Sequence, residues 1–138
     1  MLIQKVKFLA DANCAYTLGD IDKFCVQLNR NGQLLSASAG DVLLSRSLGN
    51  AVEGGLARMF LRVHFADSVE WYVLLGPATA LSSFVCKGTL AQWKGTVAGC
   101  TVQLSLRVDV EAATMLWDVD VTNRSTNVLH IDTVWVQD

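Results

Sequence analysis

Residues 100–123 read CTVQLSLRVDVEAATMLWDVDVTN, and this stretch decides the fold. Apolar residues occupy every second position of Cys100–Asp109 and again of Thr114–Asn123, which is the period of a strand with one buried face. The four residues between the two runs are short enough for a hairpin connection. A cluster of turn formers, NRSTN, follows, and residues 128–137 then resume as a run rich in β-branched and aromatic residues. The segment therefore predicts three consecutive strands in an antiparallel meander.

The first half of the chain is strand-like as well, although its pattern is less regular. Asn31 and Gly32 form a strong hairpin signal between two apolar runs, Phe24–Asn29 and residues 33–38. No segment of ten or more residues has a helical period. With about nine or ten strands at a spacing of 8–12 residues, the sequence predicts an all-β fold, an antiparallel β-sandwich, as one domain over residues 1–138. The remaining strand-like runs are residues 42–44, 58–64, 70–75, 84–87 and 90–98, the last with Gly95 as the site of a bulge.

The composition of the chain excludes several classes of partner. Lys and Arg number 11 and Asp and Glu number 13, so the net charge of −2 gives no electrostatic reason to expect nucleic acid or an anionic membrane surface. The 138 residues are 51% hydrophobic and only 17% charged, and the mean hydropathy is +0.34. Uncharged apolar runs nevertheless stay shorter than the roughly 18 residues that a membrane span needs. We therefore expect a soluble domain with an apolar face, and neither nucleic acid nor membrane as partner.

No metal, cofactor or catalytic motif is present in the sequence. The four cysteines, Cys14, Cys25, Cys86 and Cys100, form no CxxC pair, so zinc ligation has little support and free thiols in a reducing compartment are expected. The glycine-rich residues 48–55 lack the lysine and the strand-to-helix context of a phosphate-binding loop. We therefore predict no metal, no cofactor and no catalytic residue in this chain.

Two sets of residues suggest a carbohydrate site. Asp118 and Asp120 lie about 7 Å apart on one strand face, a separation that a glycosidase pair could use. Alternating carboxylates on an outward face are nevertheless typical of the solvated side of a sheet. Trp93, between Gln92 and Lys94, is the best candidate for an exposed indole on which a sugar ring stacks. Trp117 follows the apolar register of its strand and is expected in the core.

Several segments, taken in order, resemble one enzyme family. The chain is similar over residues 18–138 to the N-terminal region of glycoside hydrolase family 94, which includes 1,2-β-oligoglucan, cellobiose and cyclic β-1,2-glucan phosphorylases. The shared order of the segments carries the resemblance, since each one alone is short. They are FCVQLNRNG at 24–32, DVLL at 41–44, NAVEGG at 50–55, MFLR at 59–62, LLGP at 74–77, GTLAQWKG at 88–95, WDVDVTN at 117–123 and VWVQD at 134–138.

The resemblance implies a fold, a function and partners. It implies a supersandwich of the galactose mutarotase-like kind, here incomplete, as the N-terminal fragment of a cytoplasmic, inverting β-glucan phosphorylase. The chain itself would be non-catalytic and would support the missing C-terminal catalytic barrel and dimerisation, with a β-linked glucan oligosaccharide bound through the parent enzyme. In such a homo-oligomer the loop at residues 48–58 could reach a neighbouring site through Asn50, Glu53 or Arg58.

Two other functions remain open at this point. The first is a stand-alone carbohydrate-binding module that uses Trp93 as its platform. The second is a small enzyme of the mutarotase type, which requires a histidine and a carboxylate that converge. For that chemistry His64 and His130, the two histidines of the chain, would have to lie on one concave face.

Overall fold

The computed structural model describes residues 14–44, 55 and 57–137, and this part of the chain is all-β. It contains eleven strands and, within these ranges, no helix. The strands are β1 (Cys14–Gly19), β2 (Phe24–Asn29), β3 (Leu34–Ala39), β4 (Val42–Leu43), β5 (Ala57–His64), β6 (Val69–Leu75), β7 (Ser83–Lys87), β8 (Leu90–Val97), β9 (Cys100–Asp109), β10 (Thr114–Asn123) and β11 (His130–Gln137).

The strands form three antiparallel sheets. Their orders are β1-β2-β3-β4, β10-β9-β8-β7 and β11-β5-β6. The inward side chains of all three sheets meet in one apolar cluster, which includes Leu28 of the first sheet, Leu104 of the second and Leu61 of the third. The predicted antiparallel β-sandwich is therefore confirmed.

The hairpin of β9 and β10 has the bounds and the register that the alternation predicts. Thr114 pairs with Asp109 at the turn and Asn123 pairs with Cys100 at the far end, without a register shift. Asp118 and Asp120 are exposed on the outward face, as expected for a solvated side. The Asn29–Gly32 turn is also present, with the amide of Gly32 donating to the carbonyl of Asn29 and β2 pairing with β3.

The predicted three-stranded meander is wrong in its third strand. β11 pairs with β5 in another sheet, with Trp135 opposite Met59, and it does not pair with β10. The turn between β10 and β11 is held by side chains, since Asn123 accepts from the amide of Ser125 and donates to the carbonyl of Asn127. The chain thereby crosses to the opposing sheet, where the Trp135 ring lies 5.0 Å from the Trp117 ring across the core.

Two local expectations also need correction. Gly95 is not a bulge, because β8 and β9 stay in register through the Gly95–Val102 pair. A glycine is favoured there, because a Cβ at position 95 would lie 3.0 Å from the Cα of Leu81, which is closer than ordinary van der Waals contact. Strand β1 was not predicted, because only Leu18 within it is fully buried and the alternation is consequently weak.

Candidate functional site

The apolar core is incompletely covered at β10. Its core-facing residues are only half-buried, although their partners on β9 are at most 5% exposed. The exposed fraction of the core-facing side chains therefore rises from β9 to β10, the neighbouring strand at the edge of the sheet. The buried residues on β9 are Val102, Leu104, Leu106 and Val108, and the half-buried residues on β10 are Met115, Trp117, Val119 and Val121.

Strand β11 exposes apolar side chains on the same side of the molecule. Ile131 and Trp135 are each 37% exposed, although they pair with Val63 and Met59, which point into the core. Within the described ranges, β10 pairs only with β9 and β11 only with β5. We call six apolar core-facing residues of these two strands the open edge; they are Met115, Trp117, Val119, Val121, Ile131 and Trp135.

A chain of aromatic rings connects the open edge to the centre of the core. Trp135 contacts Trp117 with ring centroids 5.0 Å apart, and Trp117 stacks on Trp93 at 5.9 Å. Trp93 in turn contacts Phe84 at 5.0 Å, and Phe84 contacts Tyr16 at 5.3 Å. The rings come from β1, β7, β8, β10 and β11, so this chain of contacts links all three sheets.

The prediction that Trp93 is an exposed sugar platform is wrong. Trp93 is 1% exposed and pairs with Leu104 on the inward face of β8. Its polar neighbours, Gln92 and Lys94, point the other way because side chains alternate along a strand. The alternation of the sequence already indicates the inward direction of Trp93. Trp93 lies two positions after Ala91 and therefore on the same face of the strand, and Ala91 is also buried.

The outer face of the third sheet carries a cluster of charged and aromatic side chains. Arg62 on β5 donates from Nε to Oδ1 of Asp132 on β11 at 2.7 Å and from a terminal nitrogen to Oδ2 at 2.5 Å. The Nε2 of His64 lies 3.4 Å from the same Oδ2. The guanidinium carbon of Arg62 also lies 5.0 Å from the ring centre of Trp71, a cation–π distance. The hydrogen bonds from Arg62 lower the pKa of Asp132.

This cluster meets one condition of the mutarotase-type hypothesis and fails another. His64 and His130 face each other across β5 and β11, so the two histidines do share a face with Asp132. The side chains of His64 and Asp132 are, however, 37% and 42% exposed. A general base needs a pKa near the working pH, and the bidentate pairing with Arg62 lowers the pKa of Asp132 further from neutrality. The arrangement is that of a surface ion-pair network.

The structure does not bring the predicted site residues together. Asn50 and Glu53 lie outside the described residues. Arg58 lies on β5 opposite Val136 and is exposed, whereas Trp93 lies in the core on another sheet. The predicted set therefore has no common site in the described chain.

Thiols, metals and membrane spans give no further site. Of the four cysteines, Cys25 and Cys100 are buried, and Cys14 and Cys86 are half-buried. Across residues 14–44, 55 and 57–137, no group of three or more His, Cys, Asp or Glu side chains could hold a metal ion. None of the described residues belongs to a helix of the length and apolarity that a membrane crossing requires.

Comparison with known proteins assigns a family and corrects the resemblance. Residues 27–138, more than half of the chain, match the family model described as the SOGP N-terminal domain. A search of curated proteins finds no match. The predicted membership of glycoside hydrolase family 94 is wrong, because the matched family is a different one. For the same reason, the predicted classification as a family-94 phosphorylase and as a carbohydrate-binding family is wrong. Segments such as WDVDVTN mainly show the alternation of any amphipathic strand, which explains why they misled.

Proposed function

Because the chain belongs to the SOGP N-terminal domain family, we propose that it is a non-catalytic accessory domain of a longer protein. Its role is to pack, through the open edge, against a part of that protein that follows it. The family description supports the position of the domain, since it names a domain that precedes others. The free thiols of Cys25, Cys86 and Cys100 support the predicted cytoplasmic location, because a reducing compartment keeps thiols unpaired.

The observation that carries the proposal is the open edge itself. Trp117 and Trp135 contact each other, yet Trp135 is 37% exposed and Trp117 is half-buried. Among the described residues, the two strands that carry them also present unpaired edges, which natural proteins usually shorten, charge or cover. β10 is ten residues long, and its core-facing positions from Met115 to Val121 are apolar. A surface of this kind is characteristic of a protein–protein contact.

The occupant we favour is a following segment of the same polypeptide. A second copy of the chain, as in the predicted homo-oligomer, would cover the same surface, so the experiment must separate the two. The predicted parent, a β-glucan phosphorylase, stays a prediction, because a packing domain does not specify the reaction of the protein that it supports. The alternative of a stand-alone carbohydrate-binding module also stays a prediction, and it now lacks its Trp93 platform.

The test compares this chain with the product of its natural gene. Residues 1–138 and the longer product, translated through whatever coding sequence follows codon 138, are compared by amide hydrogen exchange. Amides of β10 and β11 are expected to exchange at least about tenfold more slowly in the longer product, since covering an edge suppresses local opening. β7, at the other edge of the same sheet as β10, is the internal control and is expected to change little.

Two results would overturn the proposal. One is unchanged exchange of β10 and β11 in the longer product. The other is a stop codon directly after codon 138, which leaves no following segment. If protection of the two strands instead rises with the concentration of the longer product, the occupant is a second copy and the proposed partner is wrong. Self-association of the 138-residue chain alone is expected under the proposal, because its open edge is then uncovered.

A further inference from the structure

A cavity of about 350 Å³ lies between the β2–β3 turn and the segment that connects β6 to β7. This volume is within the range of small-molecule sites, about 300–1,000 Å³. The cavity is separate from the open edge, since none of the open-edge residues is among those that line it. Its described lining residues are Arg30, Asn31, Gln33, Gly76, Ala78, Thr79, Leu81, Ser82, Ser83, Phe84 and Trp93.

Two buried hydrogen-bond donors at this cavity have no acceptor among the described residues. Gln33 is 4% exposed, and its Oε1 accepts from Nδ2 of Asn29 at 2.8 Å, which leaves the Nε2 group of Gln33 without an acceptor. Trp93 is 1% exposed, and the described contacts of its side chain are with aromatic rings and the Gly32 turn, so its indole N–H also has none. Buried donors are nearly always paired in folded proteins, so two unpaired donors at one cavity call for an acceptor from outside.

The charge of the cavity wall indicates which acceptor fits. Arg30 is the one charged side chain among the described lining residues, and no carboxylate is among them. A single guanidinium beside neutral N–H donors matches a ligand with one negative charge. Arginine and carboxylate groups have matching planar geometry, with two parallel hydrogen bonds.

Part of the wall is apolar, and the segment that connects β6 to β7 is held in shape. Leu81 and Phe84 contribute apolar surface. The connecting segment contains Ala78 at a φ of 55°, the left-handed region that costs an alanine energy. The hydroxyl of Thr79 fixes this segment, since it donates to the carbonyl of Leu74 at 2.7 Å and accepts from the amide of Leu81 at 3.2 Å.

We propose that this cavity is a binding site for a small organic monocarboxylate. The carboxylate accepts hydrogen bonds from Arg30 and Gln33, with the indole N–H of Trp93 as a third donor, and the organic part of the ligand packs on Leu81 and Phe84. This inference goes beyond the accessory role proposed above and does not depend on it.

The test follows the indole N–H resonance of Trp93 in ¹H–¹⁵N NMR spectra of the full chain, assigned by its loss in Trp93→Phe. The probe is propionate, added at constant ionic strength against sodium chloride, and propionamide is the neutral control of the same shape. We expect propionate, but not propionamide, to shift the Trp93 resonance in a saturable way. Arg30→Gln is expected to weaken propionate binding about tenfold, because it removes the charged donor. Arg124→Gln makes the same charge change in the turn after β10 and is expected to leave binding unchanged.

The proposal is overturned if propionate does not shift the Trp93 resonance. It is also overturned if propionamide shifts it equally, since the site would then recognise the apolar shape and not the carboxylate. Equal affinities of Arg30→Gln and Arg124→Gln would place propionate elsewhere and would likewise contradict the assignment.

Discussion

Gly32 lies directly against the indole ring of Trp93, so the first hairpin turn of the chain packs on the centre of the core. A Cβ at position 32 would overlap Nε1 of Trp93 and would come within 3.0 Å of Cδ2 of Phe84. Gly32 also has a φ of +77°, the left-handed region that glycine adopts without cost. The Asn-Gly signal therefore has two physical causes, the turn conformation and the space that Trp93 occupies.

Replacement of Gly32 by alanine is expected to destabilise the chain by about 2–5 kcal/mol. The left-handed conformation accounts for about 1–2 kcal/mol and the overlap with Trp93 for about 1–3 kcal/mol. Gly88→Ala is the matched control, because Gly88 has a φ of +62° but nothing within 4 Å of the added Cβ. It should cost only the conformational part. Urea unfolding of both variants measures the difference, and equal losses would show that Trp93 does not constrain the turn.

Trp93 itself is expected to be the most costly tryptophan to truncate. Trp93→Leu removes a ring that is 1% exposed and contacts Phe84 and Trp117, so we expect a loss of about 2–4 kcal/mol in the free energy of unfolding. Trp71→Leu is the control, since Trp71 is 53% exposed and should cost less than about 1 kcal/mol. If the two variants unfold at the same urea concentration, Trp93 is not a core residue.

The strands were largely predictable from the sequence because alternation is a local property. β9 and β10 have the predicted bounds, since every second residue of each is apolar and the connecting turn is short. The position of β11 was not predictable in this way. Alternation tells which face of a strand is buried, but not which strand lies beside it, and β11 pairs with β5 instead of its neighbour in the chain.

The candidate sites were less predictable than the fold, because they depend on contacts between distant residues. Arg62 and Asp132 are 70 positions apart, and only the register of β5 with β11 places them together. The cavity beside Trp93 likewise needs the β2–β3 turn and the β6–β7 connection at once. The inward direction of Trp93 could have been predicted from its parity with Ala91, but its polar neighbours obscured that signal.

A charge placed in the open edge is expected to reduce self-association of the isolated chain. Ile131→Lys introduces a lysine at a position that is 37% exposed on β11, and the variant should weaken association by about tenfold, as for a side chain at an interface centre. Val128→Lys is the control, because Val128 is 85% exposed and lies outside the open edge. Sedimentation equilibrium at several concentrations measures both. An equal effect of the two variants would mean that net charge, and not the open edge, controls association.

Cys86 is expected to react slowly with alkylating reagents. Burial raises the pKa of the Cys86 thiol, and the thiolate is the reactive form. At pH 8 we expect iodoacetamide to label Cys86 several-fold more slowly in the folded chain than in the urea-unfolded chain, with the site resolved by peptide mass spectrometry. Equal rates in the two states would show that Cys86 is not protected by burial.

The ion pair between Arg62 and Asp132 is expected to make stability depend on pH in the acidic range. Hydrogen bonds from Arg62 lower the pKa of Asp132 in the folded chain below its unfolded value of about 3.9. The stabilisation is therefore fully present above the unfolded pKa and is lost as the pH falls through the folded pKa. Wild type should have a higher thermal midpoint than Asp132→Asn at pH 6, and the difference between the two midpoints should narrow below about pH 4.

The control is Asp118→Asn, which removes an exposed carboxylate on β10. Its thermal midpoint should depend on pH in the same way as that of wild type. A gap between wild type and Asp132→Asn that stays constant from pH 6 to pH 2 would show that the carboxylate charge does not contribute to stability.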